Sequence, residues 1–204
     1  MRQAILMVAT MALTVLVASG VALAVTSLGG PGPDVLRGTD GQDYLDGRGG
    51  DDVIYGLGGN DNSPKLFVTG EVEGGLIGGF GDDTVNGGPG DDDMVGNEGF
   101  VFGAKDKGRD KIYGGVGKDR MNGGFGADVL YGGPGDDPLI ADGEERGGAL
   151  DVLYGGGGDD MLAPRNEPSG KDIVFCGGGR DTVYADREDV LFGCERVRFG
   201  NVAF

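Results

Sequence analysis

From Gly29 to about Tyr184 the apolar residues fall on a nine-residue period. Counted from the glycine that opens each unit, the eighth place is apolar: Leu36, Leu45, Ile54, Val85, Met94, Ile112, Met121, Leu130, Leu139, Leu153, Leu162, Val174 and Val183. A helix needs apolar residues three and four apart, and paired glycines are unfavourable in helix interiors. The pattern predicts a Gly-rich turn followed by a three-residue strand, with the central side chain inward and its neighbours outward. One such strand buries almost nothing, so the units must stack. Two nonapeptides make one coil with a turn on each side. About nine coils at the usual strand spacing give a rod on the order of 45 Å long.

The sixth place of each unit is acidic. These residues are Asp34, Asp43, Asp52, Asp61, Asp83, Asp92, Asp110, Asp119, Asp128, Asp137, Asp151, Asp160, Asp172 and Asp181. Some stretches break the period. Lys65–Ile77 lies between Asp61 and Asp83 and reads as one degenerate repeat with a short insertion, two nonapeptides plus four residues. GNEGFVFGA, Gly96 to Ala104, keeps the length but puts Val101 in the sixth place. Further irregularities fall near 141–146 and 164–169.

Composition sharpens this picture. The 204 residues include 47 Gly and 8 Pro, which without a period would argue for disorder. The net charge is −17, and binding nucleic acid relies on cations that neutralise phosphates, so nucleic acid is excluded as a partner. Residues eighteen apart should share one side of adjacent coils, which stacks Asp92 on Asp110, Asp110 on Asp128 and Asp119 on Asp137. Carboxylates about 5 Å apart repel, and no Lys or Arg recurs to offset them. A hard divalent cation would. Ca²⁺ takes six to eight oxygens in flexible geometry, whereas Mg²⁺ demands a tighter octahedron. Zn²⁺ prefers His and Cys, and the chain has no His. The fifth-place acids, as at Asp82, Asp91, Asp136 and Asp159, are expected to be mainly solvated charge.

The first residues have the layout of a secretory signal: Arg2, an apolar run from Ala4 to Ala18, and the small-residue site Ala22-Leu23-Ala24. Cleavage after Ala24 is expected; the alternative is an uncleaved membrane anchor.

GGPGDDDMV, GGVGKDRMN and GGFGADVLY resemble the RTX, or hemolysin-type, calcium-binding nonapeptide of secreted bacterial proteins. The resemblance implies an all-β fold, a right-handed parallel β-roll (β-solenoid) of stacked GGxGxDxUx repeats with several Ca²⁺ ions between turns. It also implies that the fourteen sixth-place Asp side chains and the Gly-rich turn carbonyls are the ligands. The closing segment, CGGGRDTVYADREDVLFGCERVRF, is similar to that of secreted bacterial members. Cys176 and Cys194 are eighteen apart, one coil, which would bring them within disulfide reach. Two free buried thiols are the alternative. The expected organisation is a signal at 1–24, a short linker at 25–28, the calcium-binding roll at 29–192 and a C-terminal cap at 193–204 that includes Val197, Phe199 and Phe204.

The expected function is an extracellular calcium-binding repeat protein that folds or stiffens on Ca²⁺ binding. It is expected to be a non-enzymatic monomer. The chain carries no HExxH, no GxSxG and no His, which weighs against a secreted carbohydrate-active or other enzyme. A pore-forming toxin would need an inserting segment that the mature part lacks. A calcium-dependent adhesin or surface-assembly protein stays open as the alternative. Tyr55, Tyr113, Tyr131 and Tyr154 in the ninth place form either a strip for a glycan or protein partner or simply a strand-favouring outer face.

Overall fold

The computed structural model describes residues 24–61, 75–97, 107–143, 149–166 and 171–199. Within them every helix or strand is a strand. The strands form two parallel sheets, one of nine and one of eight, and the chain adds a strand to each in alternation. This is a parallel β-roll, as the period predicts. The nine-stranded sheet also matches the expected number of coils.

The x-apolar-x strands do what their pattern dictates. In Val35–Arg37 only the central Leu36 is buried, and Tyr44–Asp46 and Val53–Tyr55 repeat this. Register then places like on like. Ile112, Leu130, Leu153, Val174 and Leu191 lie opposite one another along the smaller sheet. Leu45, Leu76, Met94, Met121, Leu139 and Leu162 do so along the larger one. The core is therefore a double file of single side chains between the sheets. Each contributes about 1.5–3 kcal/mol by leaving water.

The roll extends past both of its expected ends. Thr26–Leu28, assigned from sequence to the 25–28 linker, is the first strand of the larger sheet and pairs with Tyr44–Asp46. The period misses it because its central residue is Ser27 rather than an apolar one. Arg196–Phe199, assigned to the 193–204 cap, is the last strand of that sheet and pairs with Thr182–Ala185. The expected signal at 1–24 lies outside the described residues except for Ala24, and Phe204 lies outside them too.

A regular coil has eighteen residues, as between Asp34 and Asp52. Longer coils of 31, 27, 23 and 21 residues follow. The 31-residue coils contain the stretch 62–74. Leu76–Ile77 then supplies the strand that follows Asp61, opposite Leu45 and Met94. The step from Asp61 to Asp83 is therefore one half-coil plus thirteen residues, not two nonapeptides plus four.

Cys176 and Cys194 form a disulfide with their Cα atoms 5.2 Å apart. The coil from Asp172 to Asp189 has seventeen residues, so Cys194 lies one residue beyond the register partner of Cys176. On the outer face of the smaller sheet the rings of Tyr113, Tyr131, Tyr154, Phe175 and Phe192 stack in one column, with centroids 4.6–4.9 Å apart.

Candidate metal centre

Each sixth-place Asp closes a turn and opens a strand. All are buried except the half-buried Asp34. Their Oδ1 atoms form a ladder along the roll, in which the backbone N–H of one Asp donates to the Oδ1 of the Asp one coil further on. Asp43 donates to Asp61 (2.9 Å), Asp92 to Asp119 (2.9 Å), Asp119 to Asp137 (2.9 Å) and Asp137 to Asp160 (2.9 Å). The parallel ladder on the opposite side links Asp52 to Asp83 (2.7 Å), Asp83 to Asp110 (2.9 Å) and Asp110 to Asp128 (2.9 Å). One carboxylate oxygen is thus committed to holding coil to coil.

The expected stacking of Asp110 on Asp128 and of Asp119 on Asp137 holds. That of Asp92 on Asp110 does not: Asp92 pairs with Asp119, and Asp110 follows Asp83. GNEGFVFGA and KDKGRDKIY are therefore not two half-coils. Gly96-Asn97 and Lys107–Asp110 belong to one turn, separated by nine residues at 98–106. Among the described residues, the strands Asp93–Val95 and Lys111–Val116 are consecutive contributions to the two sheets. Val101 itself lies outside the described residues.

The second oxygen is left over. Oδ2 of Asp52, Asp61, Asp92, Asp119, Asp137, Asp160 and Asp181 is buried with no hydrogen-bond donor. Buried polar atoms are nearly always satisfied, so each orphan calls for a partner. Without one, ionisation of the carboxyl is disfavoured. Burial pushes Asp61, Asp119 and Asp160 up to about 7 and Asp52 up to about 6. The backbone hydrogen bond to each opposes the rise, and neighbouring carboxylates add to it.

The glycines show what surrounds these oxygens. A Cβ on Gly47 would lie 2.2 Å from Asp52 Oδ2 and 2.2 Å from the carbonyl oxygen of Gly78 on the next coil. A Cβ on Gly56 would meet Asp61 Oδ2 at 2.2 Å and Gly87 O at 2.6 Å; one on Gly132 would meet Asp137 Oδ2 at 2.6 Å and Gly155 O at 2.3 Å. The first-place glycine therefore keeps open a cradle in which a carboxylate oxygen and a carbonyl oxygen of successive coils converge. At most turns the second-place residue takes the left-handed conformation, where even Arg48 (φ 71°) and Leu57 (φ 82°) are held.

Among the described residues no three acidic, His or Cys side chains converge on one point. A cation here would draw on carboxylates and backbone carbonyls together, an all-oxygen donor set. That suits a hard ion such as Ca²⁺ and fits neither Zn²⁺ nor a soft metal.

The two N-terminal turns differ. Asp34 Oδ2 accepts the N–H of Gly30 (2.6 Å), and Asp43 Oδ2 accepts that of Thr39 (2.5 Å). The periodic count also missed two members of the ladder. Asp189 Oδ1 accepts the N–H of Asp172 (3.1 Å), and a Glu195 carboxylate oxygen accepts that of Asp181 (3.0 Å). Their signal was present: Asp189-Val190-Leu191-Phe192 and Glu195-Arg196-Val197-Arg198 both read acid-x-apolar-x, without the glycine turn.

The fifth-place acids are exposed, but they are more than solvated charge. Asp82, Asp91, Asp136 and Asp159 accept the N–H of Arg109, Lys118, Asp159 and Arg180 from the following coil, at 2.8–3.0 Å. This outer ladder runs opposite in sense to the inner one.

A parallel β-roll with oxygen-lined turns at nine-residue intervals defines a repeat protein built to take up hard cations. The chain belongs to a known family of that class. Four copies of the RTX calcium-binding nonapeptide repeat match residues 28–62, 76–100, 106–141 and 147–163, more than half of the chain. Repeats of this family bind multiple Ca²⁺ ions and are typical of secreted bacterial proteins. No curated protein matches the sequence.

Proposed function

We propose that this chain is an extracellular, non-enzymatic module whose roll orders when Ca²⁺ enters the turns. In this reading the fourteen sixth-place Asp residues form the ladder, and the Oδ2 atoms without a protein donor are metal ligands, joined by first-place carbonyls of the next coil. The observation that carries it is the row of buried Oδ2 atoms with no donor at Asp61, Asp92, Asp119, Asp137, Asp160 and Asp181. All six lie on one side of the roll, each at the end of an uninterrupted six-residue turn. Without cations this row concentrates negative charge in a thin core, which opposes compaction. Ca²⁺ supplies the missing positive charge, and its binding free energy becomes folding free energy. Extracellular modules typically bind at about 10⁻⁴–10⁻³ M.

The stacked aromatic column bears on the adhesin alternative. A sugar platform needs free ring faces, and the interior rings of Tyr131, Tyr154 and Phe175 cover one another's faces. The column supports the sheet, and its interior rings offer a sugar no free face.

The test is far-UV circular dichroism of residues 25–204 during a Ca²⁺ titration, with Mg²⁺ as the control. A cooperative coil-to-β transition with Ca²⁺ alone is expected. A β spectrum unchanged by a chelator would overturn the reading.

A further inference from the structure

The sixth-place Asp residues without a donor and those with one are not scattered at random. At the turn whose sequence carries nine extra residues, Asp110 has a donor where Asp52, on the same ladder, has an orphan. Asn97 is 2 % exposed. Its Nδ2 donates to Asp110 Oδ2 (3.4 Å) and to the carbonyl oxygen of Phe125 on the next coil (2.7 Å). Its Oδ1 accepts the N–H of Phe125 (3.0 Å), and its own N–H donates to Gly123 O (3.3 Å). The cradle is otherwise of the usual kind, since a Cβ on Gly96 would lie 2.4 Å from Asp110 Oδ2 and 2.5 Å from Gly123 O.

We propose that the Asn97 carboxamide occupies the place of a Ca²⁺ ion at this turn, so the roll carries one position closed by the protein itself. The inference rests on the calcium reading above. The chemistry of the position is specific. An amide NH₂ has two hydrogens and no charge, and here it bridges one carboxylate oxygen and one carbonyl oxygen of successive coils. Those are the two oxygen types that a cation between coils would bridge.

The repeat puts Gly at this second place, as at Gly79 and Gly124, both with positive φ. Asn97 is not among the left-handed residues. Between Asn97 and Lys107 the sequence carries nine more residues than a six-residue turn, and the Asn97 side chain lies between Asp110 and Phe125 of the next coil. Fit from the other side agrees: a Cβ on Gly124 would lie 2.2 Å from Asn97 Oδ1, so the next coil has a glycine where the plug presses on it. A neutral plug satisfies Asp110 Oδ2 without metal. It therefore ties Gly96-Asn97 to Asp110 and to the next coil in calcium-free conditions, and it leaves this position without an ion.

Native mass spectrometry of the full chain at saturating Ca²⁺ counts the ions bound. Asn97→Gly restores the residue of the repeat, and Asn97→Asp replaces the amide with a ligating carboxylate. Each is expected to bind one Ca²⁺ more than the wild type. In the calcium-loaded wild type, the Asn97 side-chain NH₂ is expected to give two well-separated, slowly exchanging proton resonances; this readout does not depend on either variant folding. Unchanged or lower ion counts in both variants, or a fast-exchanging Asn97 amide, would overturn the plug. If the wild type binds Ca²⁺ and the variants gain none, the plug alone fails. If the wild type binds no Ca²⁺ at all, the calcium reading fails and the plug with it.

Discussion

Asp119→Asn separates the two tasks assigned to one carboxylate. Oδ1 of Asp119 accepts the N–H of Asp92 at 2.9 Å, and an Asn carbonyl oxygen can do the same. Oδ2 is the orphan, and the substitution removes its charge. Asp119 is pushed from 3.8 to about 7, first by burial and then by the carboxylates of Asp92, Asp137 and Asp91. A group raised in the folded state stabilises the fold below its unfolded value, and that stabilisation is lost as pH rises through about 7. At pH 8 in a chelator, folding must bury the ionised form. At about 1.4 kcal/mol per unit this costs at most about 4 kcal/mol, and screening by water at the turn lowers the expectation to about 2 kcal/mol. Asn avoids that cost. The assay folds the metal-free chain with an osmolyte, which strengthens effective burial, and follows circular dichroism. The variant should need less osmolyte than the wild type at pH 8, yet more Ca²⁺ to reach half-folding. The sign reverses between the two conditions. If Asp119→Asn were equally destabilising in chelator and in Ca²⁺, its carboxylate would be a hydrogen-bond acceptor only, and the two-task argument would be refuted.

Four further outcomes follow from the same geometry. The metal-free roll should be better ordered at pH 5 than at pH 8, because the raised Asp52, Asp61, Asp119 and Asp160 carry protons there; the Ca²⁺ midpoint should rise as pH falls and protons compete. Gly133→Ala places a Cβ 2.1 Å from the carbonyl oxygen of Gly115 at φ 109° and should cost about 2–3 kcal/mol, whereas Gly157→Ala, with nothing within 4 Å, should be near neutral in the same urea titration in Ca²⁺. Leu139→Ala removes a fully buried side chain from the middle of its file and should cost about 3 kcal/mol in that titration. Reducing Cys176–Cys194 should cost about 3 kcal/mol and lower the thermal midpoint in Ca²⁺.

The inward apolar stripe and the sixth-place acids were legible in the sequence because both are local. Leu130 lies two residues after Asp128 in one nonapeptide, and the strand pleat alone sends it inward. Register was not legible where insertions intervene. The extra residues at 98–106 number nine, one full period, so the count ran on undisturbed and paired Asp92 with the wrong coil. The division of labour within each carboxylate was hidden for a related reason. Oδ1 meets an N–H eighteen to thirty-one residues away, and only the assembled coils bring the two together. Asn97 carried no periodic signal at all; its contacts with Asp110 and Phe125 join residues 13 and 28 apart in the chain. Asp189 and Glu195 lost the glycine half of the motif and kept the acid-x-apolar half, and a search on that half alone would have found them.

The sheets add strands in chain order from Thr26–Leu28 to Arg196–Phe199, so the first and the last described strands lie at opposite ends of the roll. Tension applied between these two strands would load the outermost coils and leave the interior coils unloaded until their turn came. Each regular coil of eighteen residues that gives way would release roughly 60 Å of chain. Stretched between two anchor points, the molecule would act as an extensible tether that lengthens in steps, with Ca²⁺ setting the force at which each step yields.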